Sequence, residues 1–106
     1  TTVGHALYAA SKGAILSYAK VLGLELASRQ IRVNSICPAM VWTDLTRKDE
    51  TKTGADYNEV QKSYPLQRYG KPEDIAYLAV YLLSDTSVWM TGSAIDITGG
   101  GELTLV

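Results

Sequence analysis

An α/β fold with parallel strands flanked by helices is what this sequence predicts. Three observations carry it. A long apolar helical stretch over residues 8–28 runs closely into the β-branched, alternating run Ile31-Arg32-Val33-Asn34-Ser35-Ile36, and helix followed closely by strand is the second half of a βαβ unit. A second helix start at Lys71-Pro72-Glu73-Asp74 precedes a second alternating run, Ser93-Ala94-Ile95-Asp96-Ile97-Thr98. At 106 residues and 46% apolar, the chain suits one folded domain, and it shows no repeat and no low-complexity segment.

In the first helix, Ala10, Gly13, Ala14 and Ser17 form a stripe of small residues that lets another helix approach closely. Leu16, Leu22, Leu24 and Leu26 put bulk on the other faces, so the helix should be buried on several sides, against a sheet and a second subunit. Packing within the chain and packing between copies are equal alternatives for the stripe. The first strand is expected over 31–36, with Pro38 ending it. Residues 44–69 are polar, with a short helix expected over roughly 55–64; a connection this long is usually functional, often a lid. Pro72 and the acids after it suit a first helical turn, and Ile75, Ala76, Leu78, Ala79, Leu82 and Leu83 supply its apolar face. Thr91-Gly92 reads as a turn, 94–98 as the second strand, and Gly99-Gly100-Gly101 as its stop. The tail Leu103-Thr104-Leu105-Val106 is apolar enough to pack.

Ten basic and eleven acidic residues give a net charge of −1. The most charged segment, Arg47-Lys48-Asp49-Glu50, is formally neutral, which argues against nucleic acid or an anionic membrane as a partner. No charge-free apolar run is long enough to span a bilayer. The single cysteine, Cys37, precludes an internal disulfide and fits a reducing cytoplasm; it reads as a small buried residue rather than a reactive thiol. The chain opens at Thr1 without an initiator Met or signal peptide, which is expected of a fragment or of a chain whose front half is missing.

The chemistry begins at Tyr8-Ala9-Ala10-Ser11-Lys12. A Tyr and a Lys four residues apart share one helix face. An ammonium beside a phenol lowers the phenol's pKa, which suits proton exchange with a carbonyl or alcohol. Among seven Tyr and six Lys such a pair could arise by accident, but three further segments accompany it. Asn34 to Thr43 follows the carboxyl end of a strand, where ligands of open α/β sheets bind. There Pro38 fixes the exit, the small Ala39 admits a flat ring, and the Val41 amide and carbonyl can pair with a carboxamide. The others are Pro65 to Ala76, and Thr91-Gly92 followed by Asp96-Ile97-Thr98-Gly99-Gly100.

Together these segments resemble the short-chain dehydrogenase/reductase family, from Leu7 to about Gly101. Met40 to Arg47 and Leu66 to Ala76 are most similar to its 3-oxoacyl-(acyl-carrier-protein) reductase branch. The resemblance implies that 1–106 is the C-terminal half of a single doubly wound, Rossmann-like domain with parallel strands flanked by helices, its N-terminal cofactor half absent. It implies NAD or NADP as cofactor, and hydride transfer to or from a small-molecule or acyl carbonyl. Tyr8 is implied to be general acid in reduction and base in oxidation. Lys12 is implied to bond the nicotinamide ribose and keep Tyr8 acidic. Pro38, Ala39, Val41 and Thr43 match the nicotinamide-side loop, with the Val41 backbone at the carboxamide and Thr43 near carboxamide and phosphates; no metal is implied. Ala39 stands where the family usually has Gly, and Thr98 where many relatives have Asp or Asn. The glycine-rich phosphate loop, the residue that selects NAD or NADP and the catalytic Ser are not in this sequence. Thr1 and Thr2 lie too near Tyr8 to replace that Ser, and His5 reads as a residue flanking the cleft. The chain alone is therefore expected to be inactive. The competing reading is a non-catalytic fragment or self-association module. The family habit implies a homo-oligomer built on the first helix and last strand. Tyr57, Tyr64 and Tyr69 could line a substrate pocket or pack the lid. Arg47, Lys48, Lys52, Lys62 and Arg68 could meet an acidic acyl carrier or merely face water.

Overall fold

The computed structural model describes residues 3–43 and 57–101. Its elements are α1 (Ala6–Leu26), β1 (Ser35–Pro38), α2 (Tyr57–Lys62), α3 (Pro72–Leu83) and β2 (Ala94–Ile97). Single 3₁₀ turns follow α1 (Ala27–Arg29) and α3 (Asp85–Ser87). β1 and β2 are neighbours in one parallel sheet, with Ser35 opposite Ala94 and Pro38 opposite Ile97. The expected helices are present, and the short α2 falls inside the range 55–64. Residues 44–56, with Arg47, Lys48 and Lys52, lie outside the described residues, as do Thr1, Thr2 and the tail from residue 102.

The first strand occupies 35–38 rather than the expected 31–36, and the polar groups of 31–34 explain the shift. The Arg32 guanidinium donates to the carbonyls of Leu82 (2.8 Å), Ser84 (3.2 Å) and Met90 (3.2 Å). It thereby satisfies acceptors that the end of α3 leaves open. The Asn34 amide donates to the Met90 carbonyl and accepts from the Ser93 N–H, both at 3.1 Å. Val33 donates to the Thr91 hydroxyl (3.1 Å) and its carbonyl accepts from Gly92 (2.7 Å). The alternation that reads as a sheet face is instead a row of anchors onto the α3–β2 connection. Pro38 closes β1 as expected.

α1 tightens into its 3₁₀ turn and ends at Gln30, whose φ of 60° is left-handed and whose N–H meets the Ala27 carbonyl. Its packing departs from expectation. Gly23 is its one buried residue. Leu24 is 81% exposed, and Ala10, Gly13, Ala14 and Ser17 all face outward. The small stripe therefore meets nothing among the described residues, and a Cβ built on Gly13 has no neighbour within 4 Å. Among the described residues the core proper is small: Tyr69 and Leu82 are the buried large side chains, at 6% and 9% exposure.

Gly23 shows why α1 can approach the 91–92 turn. A Cβ there would sit 3.0 Å from the Thr91 hydroxyl oxygen and 3.1 Å from the Gly92 nitrogen. Both neighbours are pinned by Val33, so neither can give way. Gly23→Ala should cost about 1–2 kcal/mol despite the better helix propensity of Ala. Urea denaturation reads this directly, and an unchanged midpoint would refute the close approach.

The start of α3 is fixed electrostatically. The Asp74 carboxylate accepts from Arg68 Nη1 (2.8 Å) and Nη2 (3.3 Å), and from the Lys71 backbone N–H (2.7 Å). The Arg68 hydrogen bond, then that of Lys71, lowers the Asp74 pKa to about 2, against an ordinary value of about 3.9. The folded pKa is depressed, so this contribution to stability is complete above the ordinary value and disappears as pH falls through about 2. Asp74→Asn should be less stable than the parent at neutral pH, and the gap should close across that acid window. Paired denaturation curves at several pH values test this; a pH-independent gap would contradict it.

Candidate active site

The first turns of α1 and the carboxyl end of β1 form the two walls of an open cleft of about 590 Å³. Tyr8 and Lys12 lie along one wall; Cys37, Pro38 and Ala39 form part of the other. Helical geometry sets the first pair: one turn apart, the Lys12 Nζ lies 5.4 Å from the centre of the Tyr8 ring. Tyr8 is 64% exposed, so its hydroxyl is open to a ligand. Around it, Ser11 Oγ donates to the Tyr8 carbonyl (2.7 Å), and the His5 ring tilts against the Tyr8 ring with centroids 6.1 Å apart. His5 therefore flanks the cleft. Cys37 is half-buried, not buried as expected, because it lines this opening.

Val41 and Thr43 do not join that group. Past β1 the Ala39 N–H still reaches the Ile97 carbonyl (3.2 Å), and then the chain turns to Gly70. Gly70 donates to the Met40 carbonyl (3.0 Å) and accepts from Trp42 (2.9 Å), which makes a parallel bridge centred on Val41 and Gly70. In such a bridge the flanking residues bond the partner, so the amide and carbonyl of Val41 itself face the opposite edge. Val41 lines a second, smaller cavity of about 180 Å³ together with Leu66, Arg68 and Gly70. Ala39 lines both cavities and forms the wall between them. Thr43 is exposed and lines neither.

The aromatic residues are structural here. Tyr69 is buried, Tyr64 meets it edge-on at 5.8 Å, and Trp42 stacks on it at 5.8 Å with the rings 4° from parallel. Tyr64 and Tyr69 thus pack together, and the side chain of Tyr57 lies outside the description. Trp42 is assigned no role from its sequence position; a large aromatic one residue from each of two site positions is the available signal. Arg68 pairs with Asp74, and Lys62 with Glu59 at 3.0 Å, so two of the five candidate carrier-binding cations already have carboxylate partners. Among the described residues no group of three His, Cys, Asp or Glu could hold a metal, and no helix is long and apolar enough to cross a membrane.

Comparison with known proteins gives one answer. The family described as enoyl-(acyl carrier protein) reductase matches residues 1–102. The 3-oxoacyl-(acyl-carrier-protein) reductase of Chlamydia trachomatis is 41% identical over 99 residues, covering 92% of this chain and 38% of that protein. That of Thermotoga maritima is 39% identical over 97 residues, with the same coverages of 92% and 38%. A short-chain dehydrogenase family protein from Francisella tularensis superposes with a TM-score of 0.84 at 40% identity, over 97% of this chain and 46% of that one. Aldohexose dehydrogenase from Thermoplasma acidophilum does so with a TM-score of 0.87 at 31% identity, over 97% and 43%. The chain thus spans 38% of the length of these curated relatives. A family match across nearly every residue, joined to a shared fold, means that this chain belongs to the short-chain dehydrogenase/reductase family.

Proposed function

We propose that the chain is the C-terminal part of a single Rossmann-like domain in an NAD- or NADP-dependent oxidoreductase. The reaction interconverts a carbonyl and a secondary alcohol by hydride transfer, with a 3-oxoacyl thioester as the favoured substrate class. The observation that carries this is the placement of Tyr8 and Lys12, one turn apart and open to a single cleft whose far wall is the carboxyl end of β1. The donor set suits the cofactor: a phenol and an ammonium can meet ribose hydroxyls, and Ala39 leaves room beside the backbone for a flat ring.

When bound, the nicotinamide supplies the hydride. Tyr8 gives its phenolic proton to the substrate oxygen as the carbonyl carbon gains hydride, so the product is a neutral alcohol. The Lys12 ammonium stabilises the phenolate left behind and also bonds the ribose. Pro38 and Ala39 would flank the nicotinamide ring, and Val41 and Thr43 would hold its carboxamide and phosphates only if the cofactor extends past Ala39, the residue that the Tyr8 cleft and the Val41 cavity share. In oxidation Tyr8 accepts the proton instead. The chain is proposed to act in the cytoplasm as a homo-oligomer.

The second reading, a non-catalytic self-association module, is favoured by the exposed apolar length of α1. The deciding experiment follows reduced-nicotinamide absorbance in the full-length protein with 3-oxoacyl thioester, with Tyr8 intact and replaced by Phe. No turnover by the intact protein, with no nicotinamide binding by calorimetry, would leave the second reading standing.

A further inference from the structure

We infer that Trp42 is a positioning residue for the nicotinamide end of the site: stacked on Tyr69, it fixes the backbone of Val41 and Thr43 without entering the cleft. This rests on the nicotinamide role proposed above for those two residues. Trp42 lines neither the cleft nor the smaller cavity, yet it lies between the two residues assigned to the carboxamide. Its anchor is firm. Tyr69 is buried, braced edge-on by Tyr64, and its carbonyl accepts from Arg68 Nη1 (2.9 Å), the same nitrogen that binds Asp74 at the start of α3. The stack therefore links the segment leaving β1 to the first turn of a helix. The two Gly70 hydrogen bonds set the height of this segment along the sheet, while the ring stack resists its rotation about them. Without the stack, the direction of the Val41 amide and carbonyl rests on the Gly70 hydrogen bonds alone, and a ligand must supply the rest of the ordering on binding.

The test uses calorimetry on the full-length protein with two probes: the reduced nicotinamide dinucleotide that the parent binds, and ADP-ribose, which lacks the nicotinamide. Trp42→Ala should weaken the dinucleotide about tenfold and ADP-ribose, which keeps only the phosphate side of Thr43, by no more than about twofold. Trp42→Phe, which can still stack, should restore most of the loss. Equal weakening of both probes would mean general structural damage and overturn the inference, as would no weakening of either. A parent protein that binds neither probe would instead bring down the nicotinamide reading itself, and this inference with it. Should Trp42→Ala fail to fold, Trp42→Leu keeps apolar bulk without a ring and is judged by the same outcomes.

Discussion

Tyr8→Phe in the full-length protein is expected to lower turnover by about 10²–10⁴-fold while leaving nicotinamide affinity within a few-fold of the parent. The substitution removes one oxygen and keeps the ring beside Lys12, so the shape of the cleft wall is preserved. What disappears is the phenolic proton that the proposed mechanism delivers to the bound carbonyl. Without it, hydride addition would leave an alkoxide in the site, and water would have to neutralise it less efficiently. Initial rates and calorimetric binding separate the two quantities. Turnover unchanged in Tyr8→Phe would remove Tyr8 from the chemistry. A parallel loss of binding would mean that the hydroxyl serves the ribose rather than the reacting oxygen.

Ala14→Arg should raise the dissociation constant of the assembled full-length protein by at least about 100-fold. Ala10, Gly13, Ala14 and Ser17 make a shallow, exposed stripe, and Tyr18, Val21 and Leu24, the last, at about 100° per residue, falling on this face rather than on another as expected, extend it with exposed apolar bulk. Helices that pack over small residues approach to about 8 Å. A guanidinium at position 14 would then be buried without a partner, or would hold the helices apart. Sedimentation at several concentrations measures the shift. Association that survives Ala14→Arg intact would place the interface elsewhere, and the stripe would need another explanation.

Local chemistry was legible in the sequence. The Tyr8/Lys12 spacing fixes a shared helix face whatever surrounds it, and Pro72 with Asp74 marks a helix start through the residues' own geometry and charge. What depends on distant partners was not. Arg32 and Asn34 alternate with apolar residues, as in a strand, but period 2 does not say which groups receive their hydrogen bonds. The stack of Trp42 on Tyr69 has no periodic signature at all. Val41 and Thr43 follow Pro38 so closely that one site seemed to hold them, yet the turn toward Gly70 separates them from the Tyr8 cleft. An α1 that is apolar all round announces a need for cover without naming its source.

The pairing of β1 with β2, and the anchors of Arg32 and Asn34, join residues 50 to 59 positions apart. During synthesis, none of these contacts can form until the residues of α3 and β2 have left the ribosome. The helix bearing Tyr8 is made well before them and must wait for β2 before the strand that follows it, β1, can pair. Closing so long a loop before any contact rewards it slows folding, and a waiting apolar helix is open to aggregation. The sheet at the heart of this segment is therefore expected to form late, after its helices.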